Sequence, residues 1–475
     1  MKKTMIIAAL ALVFSTALNA KVELPSVISD NMVLQQQTDA ALWGKADPGK
    51  KVTITTSWNK AKTVVYADKQ TGKWLARVAT PAAGGPYEIT ISDGEKVTLK
   101  NVLIGEVWFC SGQSNMEMPM KGYDSQPAKG AIKYIVGAKA STPIRVCNIA
   151  RKSSKTPLET SEGSWQENTP NAVAETSATA YYFAQQLQSV IDVPVGILVS
   201  CWGGASIETW IPKEVIEKEF PEFSLDHLTP EGKIHIDNQD PCLCFNGQIA
   251  PLVPYTFKGM IWYQGETNRG RHDQYIRLQD AYTRFMREMF SVPDAPFYFV
   301  QIAPYPYDNP NGFCSGYFYE AQQKSLDVIA HSGMAVTCDV GEYGTIHPCQ
   351  KEAVGQRLAF LALKNDYGCD AIQADAPTFQ SVDFKDGKAI IKFNVTGGLS
   401  PMGGGIPGFE LSGADKVFHP AKVEFVYGNM VGVSCEEVPE PVAVRYCFRN
   451  WCVGGLYNNY GIPAAPFRTD DWDLQ

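Results

Sequence analysis

GEVWFCSGQSNMEMPM, residues 105–120, is the stretch on which the reading of the chain turns. Val107-Trp108-Phe109-Cys110 is continuously apolar, as in a strand buried on both faces. It stops abruptly in Ser111-Gly112-Gln113-Ser114-Asn115, small and polar residues that prefer turns. Such a strand would carry Ser114 at its carboxyl end. Most serines in turns only hydrogen-bond their own backbone, so Ser114 becomes chemically interesting only if partners stand at the ends of other strands.

The middle of the chain supplies those strands. Apolar runs VLIGEVWF, VPVGILVSC, KGMIWYQ, PFYFVQIA and GMAVTCDV alternate with amphipathic stretches that predict helices over 177–191, 271–290, 319–329 and 351–365. This is the pattern of a parallel sheet covered on both faces, an α/β domain expected over 101–370. Before it, over 21–100, short alternating runs such as KVTITTSW, KTVVYA and YEITISD predict an antiparallel β-domain. After it, over 371–475, KAIIKFNVTGGL, AKVEFVYG and PVAVRYCF predict a second β-rich segment. No solenoid-period repeat or low-complexity tract interrupts this order.

Bulk properties narrow the function classes. The 475 residues suffice for two or three domains, and 45% hydrophobic with 19% charged residues and net charge −8 describes a soluble folded protein with no basic tract for nucleic acid. Residues 1–20, MKKTMIIAALALVFSTALNA, have two lysines, an apolar core and small residues ending at Ala20, the layout of a cleaved secretory signal. That core is short for a membrane anchor, and no cysteine precedes Cys110 to take a lipid. An exported protein, free of the membrane once cleaved, is expected. The twelve cysteines permit disulfides without revealing their pairing. Neither Cys242 with Cys244 nor Cys447 with Cys452 has the ligand spacing of a zinc site, and no metal is expected.

Function in open α/β sheets gathers at the carboxyl ends of strands, and three further clusters fall there. Trp202-Gly203-Gly204-Ala205-Ser206 has two glycines whose N–H groups could approach an oxyanion, or that simply serve a tight turn. Gln264-Gly265-Glu266-Thr267-Asn268 sets a carboxylate and two amides around a glycine, although a lone Glu there commonly caps a helix. Thr345-Ile346-His347-Pro348 precedes a helical pattern in which Pro348 fits the first position, with His347 at or near the N-cap. Of six histidines, the other His-Pro, at His419, has no helix pattern behind it. Taken together, Ser114, His347 and Glu266 can fill the roles of nucleophile, base and orienting acid.

The motifs GEVWFCSGQSNMEMPM, GILVSCWGGASIETWIP, WYQGETN and IHP, in this order, resemble the sialic-acid-specific acetylesterase branch of the SGNH hydrolase superfamily. The likeness covers about 250 residues, and the ending LYNNYGIPAAPFRTDDW is similar to the usual end of that family. It implies an SGNH-hydrolase-like parallel sheet flanked by helices, with β-sandwich-like segments at both ends. It also implies hydrolysis of O-acetyl esters on sialic acids through an acetyl-enzyme on Ser114, with no cofactor. By the same likeness the oxyanion is held by the N–H of Ser114, by Gly204 or Gly203, and by the side chain of Gln264 or Asn268. Gln113, Asn115 and Trp202 beside the motifs are assigned to substrate binding. Of the aromatics Trp202, Trp210, Trp262 and Tyr263, most are expected in the core, because alternation lets at best some of Trp262 and Tyr263 point toward a pocket.

One departure affects the acid. The superfamily's aspartate three residues before the histidine is Gly344 here, and Thr345 stands where related sialate esterases show Asp. Acetyl xylan esterases sharing the Gln-Gly-Glu motif recruit its glutamate, and on that likeness Glu266 takes the orienting role. Asp339, Glu342 or a backbone carbonyl are the rivals. An acetyl xylan or other carbohydrate esterase is the alternative function, and a non-catalytic carbohydrate-binding protein is the alternative of another class.

Overall fold

The computed structural model describes residues 21–402 and 404–472; the expected signal, 1–20, lies outside them. Its organising element is the 17-residue strand Lys96–Gly112. The second half of this strand is flanked in parallel by Gly259–Tyr263 on one side and Val195–Cys201 on the other. Phe297–Val300 and Ser332–Ala335 extend the first side and Ile144–Asn148 the second, all parallel. The short strand Trp165–Glu167 closes that edge antiparallel. All five expected strands are present, and continuous apolarity has the expected cause, since both faces of the sheet are covered.

Alternation along each strand divides two cores. Phe109 and Trp262 point to a face packed by the helices His272–Met289 and Cys314–Val328; Trp108, Cys110 and Tyr263 point to the other, packed by Ala178–Ile191 and Lys351–Asp366. Trp210, Trp262 and Tyr263 are therefore core residues, and neither Trp262 nor Tyr263 faces a pocket. Cys314–Val328 starts five residues before the expected 319, because the side-chain oxygen of Asn450 accepts from the N–H of Ser315 and caps the helix from a distant loop.

The first half of Lys96–Gly112 pairs antiparallel with Gly84–Ser92 and parallel with Val33–Gln35, so the N-terminal sheet continues into the central one. The boundary expected at 100/101 falls inside this strand. Its pattern changes there because the strand leaves a half-exposed sheet for one buried on both sides, without any break in the chain's path. At the other end, two four-stranded antiparallel sheets share a core of Ile391, Phe393, Val431, Phe409, Leu411 and Tyr446. This is the β-sandwich expected after the hydrolase region.

Gly112 closes the central strand with φ +145°, and a Cβ there would lie 2.1 Å from Tyr263 O. Only glycine lets the strand end so close to its neighbour. Gly112→Ala should cost about 3 kcal/mol or more, read as a lower urea midpoint than wild type.

Candidate active site

Three parallel strands end level, since Gly112 registers with Cys201 on one side and Tyr263 on the other. The segments after them therefore open onto one rim. Ser114 is the first residue of the short helix Ser114–Glu117 and is partly exposed. Gly203 lies against it: a Cβ on Gly203 would sit 3.3 Å from Ser114 Cβ and 2.9 Å from Glu117 Oε2. Tyr123 joins the histidine to this corner. Its hydroxyl donates to Ser114 O at 3.0 Å, and its ring meets the His347 ring edge-on, centroids 5.2 Å apart.

His347 sits in a loop before its helix. The helix begins at Lys351 with Gln350 as N-cap, so Pro348 is not the first helical residue and His347 is not the cap. Side chains take the loop's N–H groups instead: Glu342 Oε1 accepts from Cys349 N, and Thr345 Oγ1 accepts from His347 N at 3.0 Å. The imidazole Nδ1 lies 2.7 Å from Gln126 Oε1, which also accepts from the Thr345 hydroxyl at 3.2 Å. An amide oxygen only accepts, so Nδ1 carries the proton and Nε2 keeps its lone pair. Burial, and then the positive charge of Lys351, lower the His347 pKa to about 4.

The orienting group is thus Gln126, and the assignment of Glu266 to that role is corrected. Glu266 Oε1 accepts from Asn115 Nδ2 at 2.6 Å, while Oε2 is buried without a partner among the described residues. The rivals are committed as well. Asp339 forms a two-pronged pair with Arg357, and Glu342 holds the Cys349 N–H. Gln126 lies 221 residues from His347 in a polar loop with no periodicity, and nothing local in the sequence marks it.

The same geometry sorts the other expected residues. Gln264 spends its amide hydrogens on Ala205 O and Asn268 Oδ1, and Asn268 donates to Glu208 while accepting from Ile207 N. Both are fully buried braces of the third strand end rather than oxyanion donors. Gly203 N donates to Glu117 Oε2 at 2.8 Å. Among the described residues, no acceptor takes the N–H of Ser114 or of Gly204, and Gly204 turns at φ +76°. Gln113 and Asn115 are buried and bonded, so neither is placed to meet substrate. Gln113 Oε1 accepts from Gly265 N and Thr267 N, and Asn115 contacts Glu266, Ile346 O and Lys351. Trp202 is half-buried against the core.

Lys351 is a second residue, beside Gln126, that sequence reading missed altogether. It is 1% exposed, its Nζ donates to Asn115 Oδ1 at 2.6 Å, and burial lowers its pKa to about 7 against the pull of Glu266. Burial in turn raises the Glu266 pKa, opposed by its Asn115 bond and by Lys351. Among the described residues no cluster of His, Cys, Asp and Glu could hold a metal, and no helix is long and apolar enough to cross a membrane.

With this geometry, known proteins align as follows. A family profile described as carbohydrate esterase, sialic acid-specific acetylesterase, matches residues 104–359. Sialate O-acetylesterase of Homo sapiens is 25% identical over 497 residues, covering 93% of this chain and 91% of that one. The same-named protein of Rattus norvegicus is 26% identical over 403 residues, 72% of this chain and 73% of its own. A carbohydrate acetylesterase from Xanthomonas citri of known structure superposes with TM-score 0.84 at 33% identity, over 95% of this chain and 100% of its own.

Two outcomes follow from the site. Gln126→Ala frees the imidazole to take the wrong tautomer and should lower kcat on an aryl acetate on the order of tenfold or more with little change in KM, whereas Glu266→Gln, which keeps an acceptor for Asn115, should cost less. In wild type, kcat/KM should rise through about pH 4 as His347 loses its proton. Lys351→Met removes a positive charge that holds that value down, so the acid limb should move to higher pH, read from pH–rate profiles of variants whose folding is checked by circular dichroism.

Proposed function

The chain belongs to the sialic acid-specific acetylesterase family of carbohydrate esterases, and we propose that it deacetylates O-acetylated sialic acids by nucleophilic catalysis from Ser114. Carbohydrate O-acetyl ester hydrolysis is the activity of this family, and the alternative of a non-catalytic sugar-binding protein falls with it. The observation that carries the mechanism is the His347 Nδ1 to Gln126 contact, which leaves Nε2 as the basic nitrogen of an imidazole joined to the Ser114 corner through Tyr123.

In this reading His347 Nε2 takes the Ser114 proton as Oγ attacks the acetyl carbonyl. The N–H groups of Ser114 and Gly204 stabilise the oxyanion. Collapse expels the sugar hydroxyl, which receives the proton from the imidazolium. A weakly basic imidazole is a correspondingly strong acid at this step, and its pKa of about 4 suits expulsion of a poor alkoxide leaving group. Water, activated by the same nitrogen, then attacks the acetyl-enzyme and releases acetate. No cofactor enters this sequence of steps.

Substrate charge is the next question. Arg151, half-exposed, pairs through Nε with Glu117, whose other oxygen holds Gly203 beside Ser114. This sets a guanidinium at the rim, fitted to the carboxylate of a sialic acid. A second reading, acetyl xylan or another neutral acetylated glycan, is favoured by the Glu117 carboxylate, which offsets that charge. Residues 1–20 support an exported, periplasmic or extracellular enzyme meeting such glycans outside the cell.

Acetate release from O-acetylated sialic acid and from acetylated xylan, with wild type beside Ser114→Ala, tests the proposal. Serine-dependent release from sialic acid, reduced on the order of 10³-fold or more in the variant, is expected; equal release by both forms overturns the role of Ser114. Arg151→Met should lower kcat/KM for the sialic acid about tenfold and leave an aryl acetate nearly unchanged. Preferential release from xylan, unaffected by Arg151→Met, would select the second reading.

A further inference from the structure

Three thiols with no part in the proposed reaction meet behind the His347 loop. Cys452 Sγ lies 3.1 Å from Cys447 Sγ. Cys338 Sγ borders the same space: a Cβ on Gly454 would lie 3.1 Å from it and 3.3 Å from Cys447 Sγ. Gly408, at φ +99°, leaves the room, since a Cβ there would stand 2.6 Å from Cys447 Sγ and 2.9 Å from Cys452 Sγ.

The chain between the two cysteines, Phe448 to Trp451, binds the C-terminal sandwich to the active-site segments. Asn450 Oδ1 accepts from Arg269, three residues after Glu266, and from Ser315 N; Asn450 N donates to Gly312 O, and Asn450 O accepts from Tyr305 N. Trp451 meets Tyr343 of the His347 loop edge-on at 5.2 Å, and Gly454 N donates to Cys338 O. A brace at the neck of this loop would therefore stiffen the segments carrying Glu266 and His347.

We propose that Cys447 and Cys452 are a redox modification site: they close a disulfide that clasps loop 448–451 against the active-site segments. The sulfurs need approach by only about 1 Å more to reach bonding distance. Cys452 is the more accessible of the two and attacks first, whereas burial and the neighbouring thiols push the Cys447 thiol well up. The oxidant is a low-molecular-weight or protein disulfide. The Cys452 thiolate displaces one thiol from it to give a mixed disulfide, and the Cys447 sulfur, on losing its proton, then displaces the second. Two thiols give up two electrons and two protons, and the external disulfide becomes two thiols. Cys338 is set aside as partner because it is buried and its Sγ donates to Ala464 O at 3.3 Å.

The test treats the full chain with oxidised glutathione or with dithiothreitol, alkylates it under denaturing conditions and digests it with trypsin without reduction. Arg449 lies between the two cysteines, so the cross-link joins peptides Tyr446–Arg449 and Asn450–Arg468, which separate on reduction. That joined species in the oxidised sample is expected. Alkylation of both cysteines after oxidation, a Cys338–Cys447 link, or glutathione persisting on Cys452 would overturn it. The oxidised protein should also melt about 2–4 °C above the reduced one, with the difference abolished in Cys452→Ser. Equal melting of the cross-linked and reduced forms would overturn the clasp.

Discussion

The buried amide of Asn115 is the contact on which the site's geometry rests. Its nitrogen donates to Glu266 on the third strand end and to Ile346 O, the carbonyl just before His347; its oxygen accepts from Lys351 on the helix that follows. One side chain, adjacent in sequence to Ser114, thus fixes the other two corners relative to the serine. Buried polar networks of this kind are costly unless satisfied, and breaking one partner leaves a desolvated group behind. Here each member restrains the rest. Glu266 gives the Lys351 charge an opposite partner, and Asn115 bonds to both.

The same network explains how the site manages without the usual aspartate. A carboxylate against Nδ1 would stabilise the imidazolium and raise its pKa. Gln126 supplies the geometric half of that role, one oxygen fixing the tautomer, without the charge. Burial, and then the opposing charge of Lys351, keep the imidazole neutral well below pH 7. A weaker base results, with a stronger conjugate acid. For an ester whose leaving group is a sugar alkoxide, proton delivery on departure matters as much as proton removal on attack. The buried carboxylate is not lost from the site, since Glu266 acts on the scaffold that holds the histidine.

The strands were legible because burial on both faces demands continuous apolar runs, and the helices because one-sided burial demands periodicity. The ends of those strands then located Ser114, the glycine turn and the His347 loop without any coordinates. Polar character at a rim does not, however, separate groups that face substrate from groups that brace the backbone. Gln113, Asn115, Gln264 and Asn268 all proved to be buried and bonded to protein. Gln126 was invisible for the converse reason: its partner is set by tertiary approach across 221 residues. The boundary at 100/101 misled because a change of pattern marks a change of environment, which a single strand can undergo midway.

Glu117 illustrates how tightly the rim is allotted. Its carboxylate holds the Gly203 N–H on one oxygen and Arg151 on the other, so a donor adjoining Ser114 is committed to the protein. That bond fixes the glycine turn, with Asn238 and Thr267 accounting for the carbonyls of Gly203 and Gly204. In the proposed mechanism an oxyanion forming at Ser114 meets donors that, among the described residues, have no protein acceptor to leave, and a donor that need not break a bond requires less reorganisation when charge develops. Arg151 takes the other oxygen of the Glu117 carboxylate, so one ion pair, through Glu117, helps hold the glycine turn in place whichever sugar carries the acetyl group.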